Sequence, residues 1–145
     1  MEAHAGVLDK GGNPYILHPL RVMMSLRTEE EKIVGVLHDV VEDCAELGYD
    51  WAYLESNGFS KTILDALRTV TKTPEEEKQN EELEEAGKLL AYLNFVKRAK
   101  SNPIEARVKR ADIHDNLDVA RIGELKQKDL DRLNRYKKAL ELLES

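Results

Sequence analysis

The sequence predicts an all-α protein, and three observations carry this prediction. Leu, Ala, Glu, Lys and Arg dominate the 145 residues, whereas only 6% are aromatic; this balance favours helices over strands. Apolar residues recur at spacings of three and four, as they do along one face of a helix. No run of alternating apolar and polar residues indicates a strand. The length fits one domain over 1–145, since domains typically contain roughly 100–200 residues.

Caps, prolines and glycines mark the ends of the predicted helices. A turn over 9–13, which contains two adjacent glycines, precedes the first helix. The predicted helices cover, in chain order, 19–27, 28–43, 51–57, 61–70, 74–101, 104–122 and 130–143. The chain is therefore a succession of helices joined by short connections.

The most specific of these signals lie at the helix starts. Thr28, with Glu31 three residues later, forms a capping box. β-branched residues are common in the helix that follows, yet its apolar spacing and its cap favour a helix over a strand. Ser60 caps another helix, and Pro103 interrupts the long helix that precedes it. The last helix carries an apolar stripe that would close the bundle.

The charge balance restricts the partners of the protein. A formal net charge of −6 argues against nucleic acid, because binding to phosphate backbones depends on basic charge. No apolar run reaches the 18 or so residues of a membrane span, and no targeting signal is visible. The lone cysteine, Cys44, permits no disulfide within the chain, so we expect a cytoplasmic protein that acts away from membranes.

Four polar residues interrupt the apolar helix predicted over 28–43. His38 and Asp39 are adjacent, and Glu42 and Asp43 follow about one turn later. On one continuous helix these groups would share one side, where like charges repel each other. A divalent cation is the simplest compensation. The alternative is a structural role, in which His38 bonds to a carbonyl group and Asp39 forms a salt bridge.

A second polar cluster lies on the helix predicted over 104–122. Lys109, Asp112 and Asn116 fall on one face of this helix, with Asp115 beside them. A solvated ion pair between Lys109 and Asp112 is the alternative interpretation.

The remaining histidines are weaker candidates when each is taken alone. His18 precedes Pro19, and a lone histidine is more often structural than a metal ligand. His4 lies near an amino terminus that we expect to be frayed. His114 lies next to the face that carries Asp112, but not on it.

Taken together, these residues resemble the HD-domain metal-dependent phosphohydrolases, which carry a histidine, a His-Asp pair and a distant aspartate on separate helices. The similarity is closest to the alarmone hydrolase domain of RelA/SpoT proteins, and it covers nearly the whole chain. The segments that carry it are Ala3-His4-Ala5-Gly6, Lys10, Gly12, Pro14-Tyr15-Ile16, His18-Pro19, the HDxxED-like segment 38–43, Val70-Thr71-Lys72, 108–112 and Asn116.

This resemblance implies an HD-domain helical bundle that binds one Mn²⁺, or Fe, Zn, Co or Mg in its place. The implied metal ligands are His18, His38, Asp39 and Asp112. Glu42 and Asp43 would activate the attacking water. The implied substrate-binding residues are Lys10, Lys72, Lys109 and Asn116. The implied reaction hydrolyses the 3′-pyrophosphate of guanosine tetra- or pentaphosphate, (p)ppGpp, the alarmone of the stringent response, to GDP or GTP and pyrophosphate.

Two departures from the family pattern keep alternatives open. Asp9 stands where the family usually has an arginine that stacks on guanine. The family also has a further helix before the first matching segment, so we expect either a truncated start or a short amino-terminal helix, with the missing wall absent or supplied by another copy in a homo-oligomer. We therefore also consider an HD phosphohydrolase of a nucleoside triphosphate, a deoxynucleotide or NADPH, and a non-catalytic nucleotide-binding bundle. The length leads us to expect a stand-alone hydrolase domain.

Overall fold

The computed structural model describes residues 1–120 and 122–145, and this part of the chain is a bundle of helices. The α-helices, in order, are α1 (Leu17–Met24), α2 (Glu29–Leu37), α3 (Val40–Cys44), α4 (Trp51–Ser56), α5 (Lys61–Val70), α6 (Pro74–Glu81), α7 (Glu85–Lys100), α8 (Pro103–Leu117) and α9 (Gln127–Glu144). Short 3₁₀ helices cover Glu2–His4 and Ala45–Leu47. The described residues form no strand beyond an isolated bridge between Leu8 and Pro14, which confirms the all-α class. No helix among them combines the length and hydropathy that crossing a membrane requires.

Side-chain caps begin several helices where the sequence predicts them. The Thr28 hydroxyl accepts the N–H of Glu31, whose carboxylate accepts the N–H of Thr28, so the predicted capping box is present. Asp50 and Ser60 cap α4 and α5 in the same way. These caps satisfy N–H groups that have no partner inside the helix. α4 and α5 therefore begin at their predicted residues, and α1 and α9 also lie within about three residues of their predicted ranges.

The prediction of one continuous helix over 28–43 is wrong, because a turn at His38 and Asp39 separates α2 from α3. The Gly35 carbonyl would accept the backbone N–H of Asp39 in a continuous helix. In the structure it accepts a bond from the His38 ring at 2.6 Å. The four polar residues of this segment therefore do not share one side of one helix.

Two other predicted helices are shorter than expected. The helix predicted over 74–101 is divided into α6 and α7, and α6 has no buried residue whose packing would keep it in line with α7. α8 ends at Leu117, five residues early, because the Asp118 carboxylate accepts the N–H of Ala120 in a local turn that competes with the helix. Arg121, within the predicted segment, lies outside the described residues.

α8 lies at the centre of the bundle and contacts α1, α2, α5, α7 and α9. One core cluster on α8 includes Val34 of α2, Leu67 of α5 and Val108 of α8 itself. A second cluster packs Val96 of α7 and Ala139 of α9 against the opposite part of α8. Because apolar contacts hold α8 on both sides, the polar side chains that α8 carries between these clusters have fixed positions.

Glycine at position 35 lets α1 and α2 approach each other closely. A Cβ atom on Gly35 would lie 2.7 Å from Leu26 Cδ1 and 3.5 Å from Val22 Cγ1. The first distance is shorter than a van der Waals contact, so a larger residue would displace the Leu26 side chain. The close approach brings the end of α2, with His38, next to His18 on α1.

A buried carboxylate at the start of α2 ties this helix to α8. Glu31 accepts the backbone N–H groups of Arg27 and Thr28, at 3.1 and 3.2 Å, and a bond from the Arg107 guanidinium at 2.7 Å. Burial disfavours the charge on Glu31, but these donors outweigh burial and hold the pKa of Glu31 below its usual value. The folded protein therefore prefers the ionised form of Glu31.

We predict that Glu31→Gln lowers the free energy of unfolding at about pH 7 by roughly 1–2 kcal/mol, because hydrogen bonds to a charged acceptor are lost. The pKa of Glu31 is lower in the folded chain than its ordinary value of 4.5. Its stabilisation is therefore complete above that value and is lost as the pH falls through the folded pKa. Urea denaturation from about pH 7 down to about pH 3 measures the difference. A difference that stays constant over this range would contradict the prediction, and Glu29→Gln, on the exposed first turn, is the matched control.

Candidate metal centre

Three buried side chains from separate segments converge on one point. His18 lies on α1, His38 follows α2, and Asp112 lies on α8. Asp112 Oδ1 is 3.0 Å from His18 Nε2 and 3.4 Å from His38 Nε2. One ligand atom from each residue lies within 4.8 Å of the other two, a spacing at which three ligands can share one metal ion. Three of the four predicted metal ligands are thus brought together.

The fourth predicted ligand, Asp39, lies at the rim of this group. Its Oδ2 is 3.2 Å from His38 Nε2 and 4.0 Å from His18 Nε2, and it accepts a hydrogen bond from the Tyr15 hydroxyl. Burial disfavours the charge on Asp39, but His38 outweighs burial, and the pKa of Asp39 falls to about 2. Asp39 is therefore a carboxylate, the form that binds cations. We refer to His18, His38, Asp39 and Asp112 as the candidate metal centre.

Both imidazole rings are held through their Nδ1 atoms. His18 Nδ1 lies 2.6 Å from Asp115 Oδ2, and Arg21 donates bonds of 2.7 and 3.1 Å to the same carboxylate. His38 Nδ1 lies 2.6 Å from the Gly35 carbonyl oxygen. Carboxylate and carbonyl oxygens only accept hydrogen bonds, so each Nδ1 donates, and in the neutral form of each ring Nε2 points its lone pair at the centre. Metal-binding histidines are usually fixed in this way.

The candidate metal centre requires positive charge. Burial opposes protonation of His38, yet Asp39 and Asp112 raise its pKa well above the usual value. His38 Nε2 is nevertheless buried without a hydrogen-bond partner among the described residues, which costs free energy. A divalent cation would satisfy this nitrogen and both carboxylates at once. Two imidazoles with two carboxylates form a mixed nitrogen and oxygen donor set that suits Mn, Fe or Zn, so the residues present fit such an ion.

Asp112 is also held by two side chains of its own helix. Lys109 Nζ donates to Oδ2 at 2.8 Å, and Asn116 Nδ2 donates to Oδ1 at 3.1 Å. Lys109 lies over the rings of Phe95 and Tyr92, at 4.9 and 5.7 Å. The ion pair between Lys109 and Asp112 that the alternative interpretation predicted is present. It is not solvated, however, because the Lys109 side chain is only 12% exposed. Burial opposes the charge on Lys109, but Asp112 raises the pKa of Lys109, which stays positive.

A cavity of about 240 Å³, which we call the metal cavity, opens at the candidate metal centre. Glu42, Lys72, Lys109 and Asn116 line it as well. Glu42 Oε2 accepts the backbone N–H of Lys72 at 3.2 Å. Burial raises the pKa of Glu42 to about 7, although this N–H opposes the shift. Glu42 therefore gains and loses a proton near neutral pH beside the candidate metal centre.

A second cavity, of about 330 Å³, is adjacent, and we call it the outer cavity. Lys10 lines it, with Nζ 3.8 Å from Asp129 Oδ1. Its volume lies at the lower end of the roughly 300–1,000 Å³ of small-molecule sites. The residues that line both cavities are Tyr15, His18, Asn116 and Tyr136. The metal cavity is therefore one compartment of a larger site.

Asp9 has a structural role at the edge of the outer cavity. Its Oδ1 accepts the N–H groups of Gly11 and Asn13, both at 2.9 Å. These bonds close the turn that the two glycines predict, and Gly12 adopts a φ of 80° there. The carboxylate thus fixes the loop that carries Lys10 into the outer cavity.

Asp43 lies outside this arrangement. Among the described residues it lines neither cavity, and its side chain is 47% exposed. Asp43 Oδ2 lies 3.9 Å from Nε2 of His4. His4 is itself buried, so the expectation of a frayed amino terminus is wrong at this residue. The assignment of Asp43 to water activation stays a prediction.

The fold adds three polar residues that the sequence analysis did not assign to the site. Tyr15 bonds to Asp39, and Arg21 holds the carboxylate that orients His18. Glu105 lines the metal cavity, and burial raises its pKa to about 8. A signal for Glu105 existed, since it precedes Asp112 by seven residues and so lies on the same face of α8. Tyr15 lies in a segment that carries the resemblance, although its partner is 24 residues away. Arg21 had no such signal, and its partner is 94 residues away.

Comparisons with known proteins agree with the motif resemblance. A probable guanosine-3′,5′-bis(diphosphate) 3′-pyrophosphohydrolase of Mycoplasma genitalium is 32% identical over 111 residues, which is 74% of this chain. A guanosine-3′,5′-bis(diphosphate) 3′-pyrophosphohydrolase of Vibrio cholerae is 40% identical over 47 residues, or 30% of the chain. A GTP pyrophosphokinase of Myxococcus xanthus is 46% identical over 46 residues, or 29% of the chain. The first of these similarities shows that the chain belongs to the family of RelA/SpoT-type hydrolases, which confirms the resemblance.

The matched relatives are much longer than the match. The aligned part amounts to 15% of the Mycoplasma protein, 7% of the Vibrio protein and 6% of the Myxococcus protein. No protein-family model matches the chain.

We predict that Asp115→Asn weakens binding of Mn²⁺ by about 10–100-fold, the usual effect of losing a group that orients a metal-binding histidine. The amide is a weaker partner for His18 and Arg21 than the carboxylate, so the imidazole loses its fixed direction. Calorimetric titration of the metal-free protein with Mn²⁺ measures the change. Unchanged affinity would show that Asp115 does not orient the ring for a metal. Asp65→Asn, on an exposed position of α5, is the control for loss of one charge.

Proposed function

We propose that the chain catalyses the metal-dependent hydrolysis of the 3′-pyrophosphate of (p)ppGpp, giving GDP or GTP and pyrophosphate. The observation that carries this proposal is the buried convergence of His18, His38 and Asp112 at a cavity that is lined by lysines and adjoins a second cavity. The names of the Mycoplasma and Vibrio relatives support the same reaction.

The candidate metal centre would hold one Mn²⁺, or another divalent ion of similar preference. His18, His38 and Asp112 would bind it, and Asp39 would complete the ligand set from the rim. A bound divalent ion supplies a Lewis acid and lowers the pKa of a water ligand. Asp115 and the Gly35 carbonyl hold the imidazoles in the orientation that this requires.

Glu42 is the residue that we assign to proton transfer. Its carboxylate lines the metal cavity and is held by the backbone N–H of Lys72. With a pKa of about 7 it accepts a proton from water more readily than an ordinary carboxylate does. As the proton leaves, the water oxygen bonds to phosphorus, the bond between phosphorus and the ribose 3′ oxygen breaks, and the 3′ oxygen takes up a proton to become the 3′-hydroxyl. The assignment of Asp43 to water activation rests on the family resemblance alone.

The lysines supply positive charge where an anionic substrate would bind. Lys72 and Lys109 line the metal cavity beside the candidate metal centre and would contact the pyrophosphate. Asn116 lines both cavities, a position suited to the ribose. Lys10 lines the outer cavity, which would take the base. The pyrophosphate and the base of a nucleotide lie apart, so one cavity would take the pyrophosphate and the other would take the base.

A nucleotide panel tests the proposed reaction directly. The purified chain is given ppGpp, its adenine counterpart, a deoxynucleoside triphosphate and NADPH, with Mn²⁺ added or removed by chelation. We expect release of pyrophosphate from ppGpp only when Mn²⁺ is present. Cleavage confined to another nucleotide would support the alternative HD phosphohydrolase. Binding without cleavage of any nucleotide would support the non-catalytic bundle.

We predict that Glu42→Gln reduces turnover of ppGpp by about 10²–10⁴-fold, the usual contribution of a general base. Binding of Mn²⁺ should be retained, because Glu42 lies outside the candidate metal centre. Asp112→Ala should lose both Mn²⁺ and turnover while the chain stays helical by circular dichroism. Glu46→Gln, exposed and four residues from Glu42, controls for the lost charge. Turnover by Glu42→Gln at the wild-type rate would refute its role.

A further inference from the structure

Glu105 is a buried acid of the metal cavity that the proposed reaction does not use. The residue is only 1% exposed, and it lines the cavity together with the candidate metal centre. Its Oε2 atom is buried without a hydrogen-bond partner among the described residues. A buried polar atom without a partner destabilises the fold, and an apolar side chain at position 105 would avoid this cost. A stabilising role in the metal-free chain therefore does not explain the carboxyl group.

A helix cap does not explain this carboxyl group either. Glu105 is the third residue of α8, the position from which Glu31 and Glu76 bond back to the N-cap residues of α2 and α6. At the start of α8 the backbone N–H of Asn102 bonds instead to the Ala99 carbonyl oxygen, at 3.1 Å. The Glu105 side chain is therefore not engaged at the cap and extends into the metal cavity.

The other carboxylates of the metal cavity all have donors. Asp39, Glu42 and Asp112 each accept at least one hydrogen bond from the protein. Among the described residues, four carboxyl groups but only two lysines line the cavity, and one of these lysines, Lys109, is already bonded to Asp112. Acidic side chains thus outnumber the lysines, and the partner that Glu105 lacks is a hydrogen-bond donor or a cation.

The position of Glu105 relative to the candidate metal centre indicates an indirect contact with an ion. Glu105 precedes Asp112 by seven residues, about two turns of α8, so both side chains lie on one face of the helix. Ligand atoms of His18, His38 and Asp112 lie within 4.8 Å of one another, and Glu105 is outside this group. With four protein ligands, an ion such as Mn²⁺ that takes about six donors keeps water ligands. Such a water is a donor for which the Glu105 carboxylate is an acceptor.

We propose that Glu105 accepts a hydrogen bond from a water ligand of the ion at the candidate metal centre, and that it is a positioning residue for this water. The proposal rests on the metal-binding role given to this centre above. The bond supplies the partner that Oε2 lacks, and the charge of the ion compensates the additional carboxylate. Glu105 thereby favours an ion that keeps water ligands, such as Mn²⁺, over Zn²⁺, which usually binds only four ligands.

Calorimetric titration of the metal-free chain with Mn²⁺ and with Zn²⁺ tests this assignment. Glu105→Gln keeps the shape of the side chain but removes its charge and leaves a weaker acceptor. We expect Mn²⁺ binding to weaken by about 10–100-fold, the usual effect of losing a group that supports the metal ligands. Zn²⁺ binding should change less, because this ion keeps fewer water ligands. Glu141→Gln, exposed on α9, removes one carboxylate elsewhere and should leave both affinities unchanged.

Urea denaturation of the metal-free chain separates this role from a structural one. Because no described residue bonds to Oε2, the midpoint of Glu105→Gln should equal or exceed that of the wild type. A lower midpoint, an unchanged Mn²⁺ affinity or an equal loss of Zn²⁺ affinity would overturn the proposal, and a wild type that binds no Mn²⁺ would overturn it together with the metal centre. If the wild type binds Mn²⁺ but cleaves no ppGpp, the proposed function fails, and the titrations still decide the role of Glu105.

Discussion

The buried carboxylate of Asp112 is the group on which the rest of the site depends. It lies 3.0 Å from His18 and 3.4 Å from His38, and it accepts bonds from Lys109 and Asn116. An isolated charge at such a buried position would be costly, and these partners offset that cost. α8, which carries Asp112, is itself held on both sides by apolar clusters. The packing that fixes α8 therefore also fixes the position of the charge on Asp112.

The turn between α2 and α3 determines where the polar side chains of the segment 38–43 lie. His38 donates from Nδ1 to the Gly35 carbonyl, which ends α2 and leaves His38 Nε2 facing Asp112. The same turn moves Asp39 to the rim and starts α3, so that Glu42 lines the metal cavity while Asp43 faces His4. A straight helix would have kept these groups at fixed angles of about 100° per residue. The break thus separates the candidate metal ligands from Glu42, the residue that we propose as the general base.

Three cations lie around one aromatic ring at the metal cavity of this acidic chain. The net charge is −6, yet Lys72, Lys109 and Arg98 all lie about one aromatic ring, that of Phe95, at 4.9, 4.9 and 5.4 Å. Aromatic faces attract cations and so hold like charges close to one another. The Asp112 carboxylate and the Glu76 carboxylate each neutralise one of them. Lys72 lines the metal cavity, where we propose that it contacts phosphate.

The sequence by itself determined the all-α class, most helix starts and the residue types of the candidate metal centre. Caps and prolines act within about four residues, so they can be read from the chain. Only the tertiary structure decided the turn after Leu37, the division of the helix predicted over 74–101, and which acids face the cavity. It brought Glu105 and Tyr15 in and left Asp43 outside. These outcomes depend on contacts such as that between His18 and Asp115, 97 residues apart, whose partners no local pattern specifies.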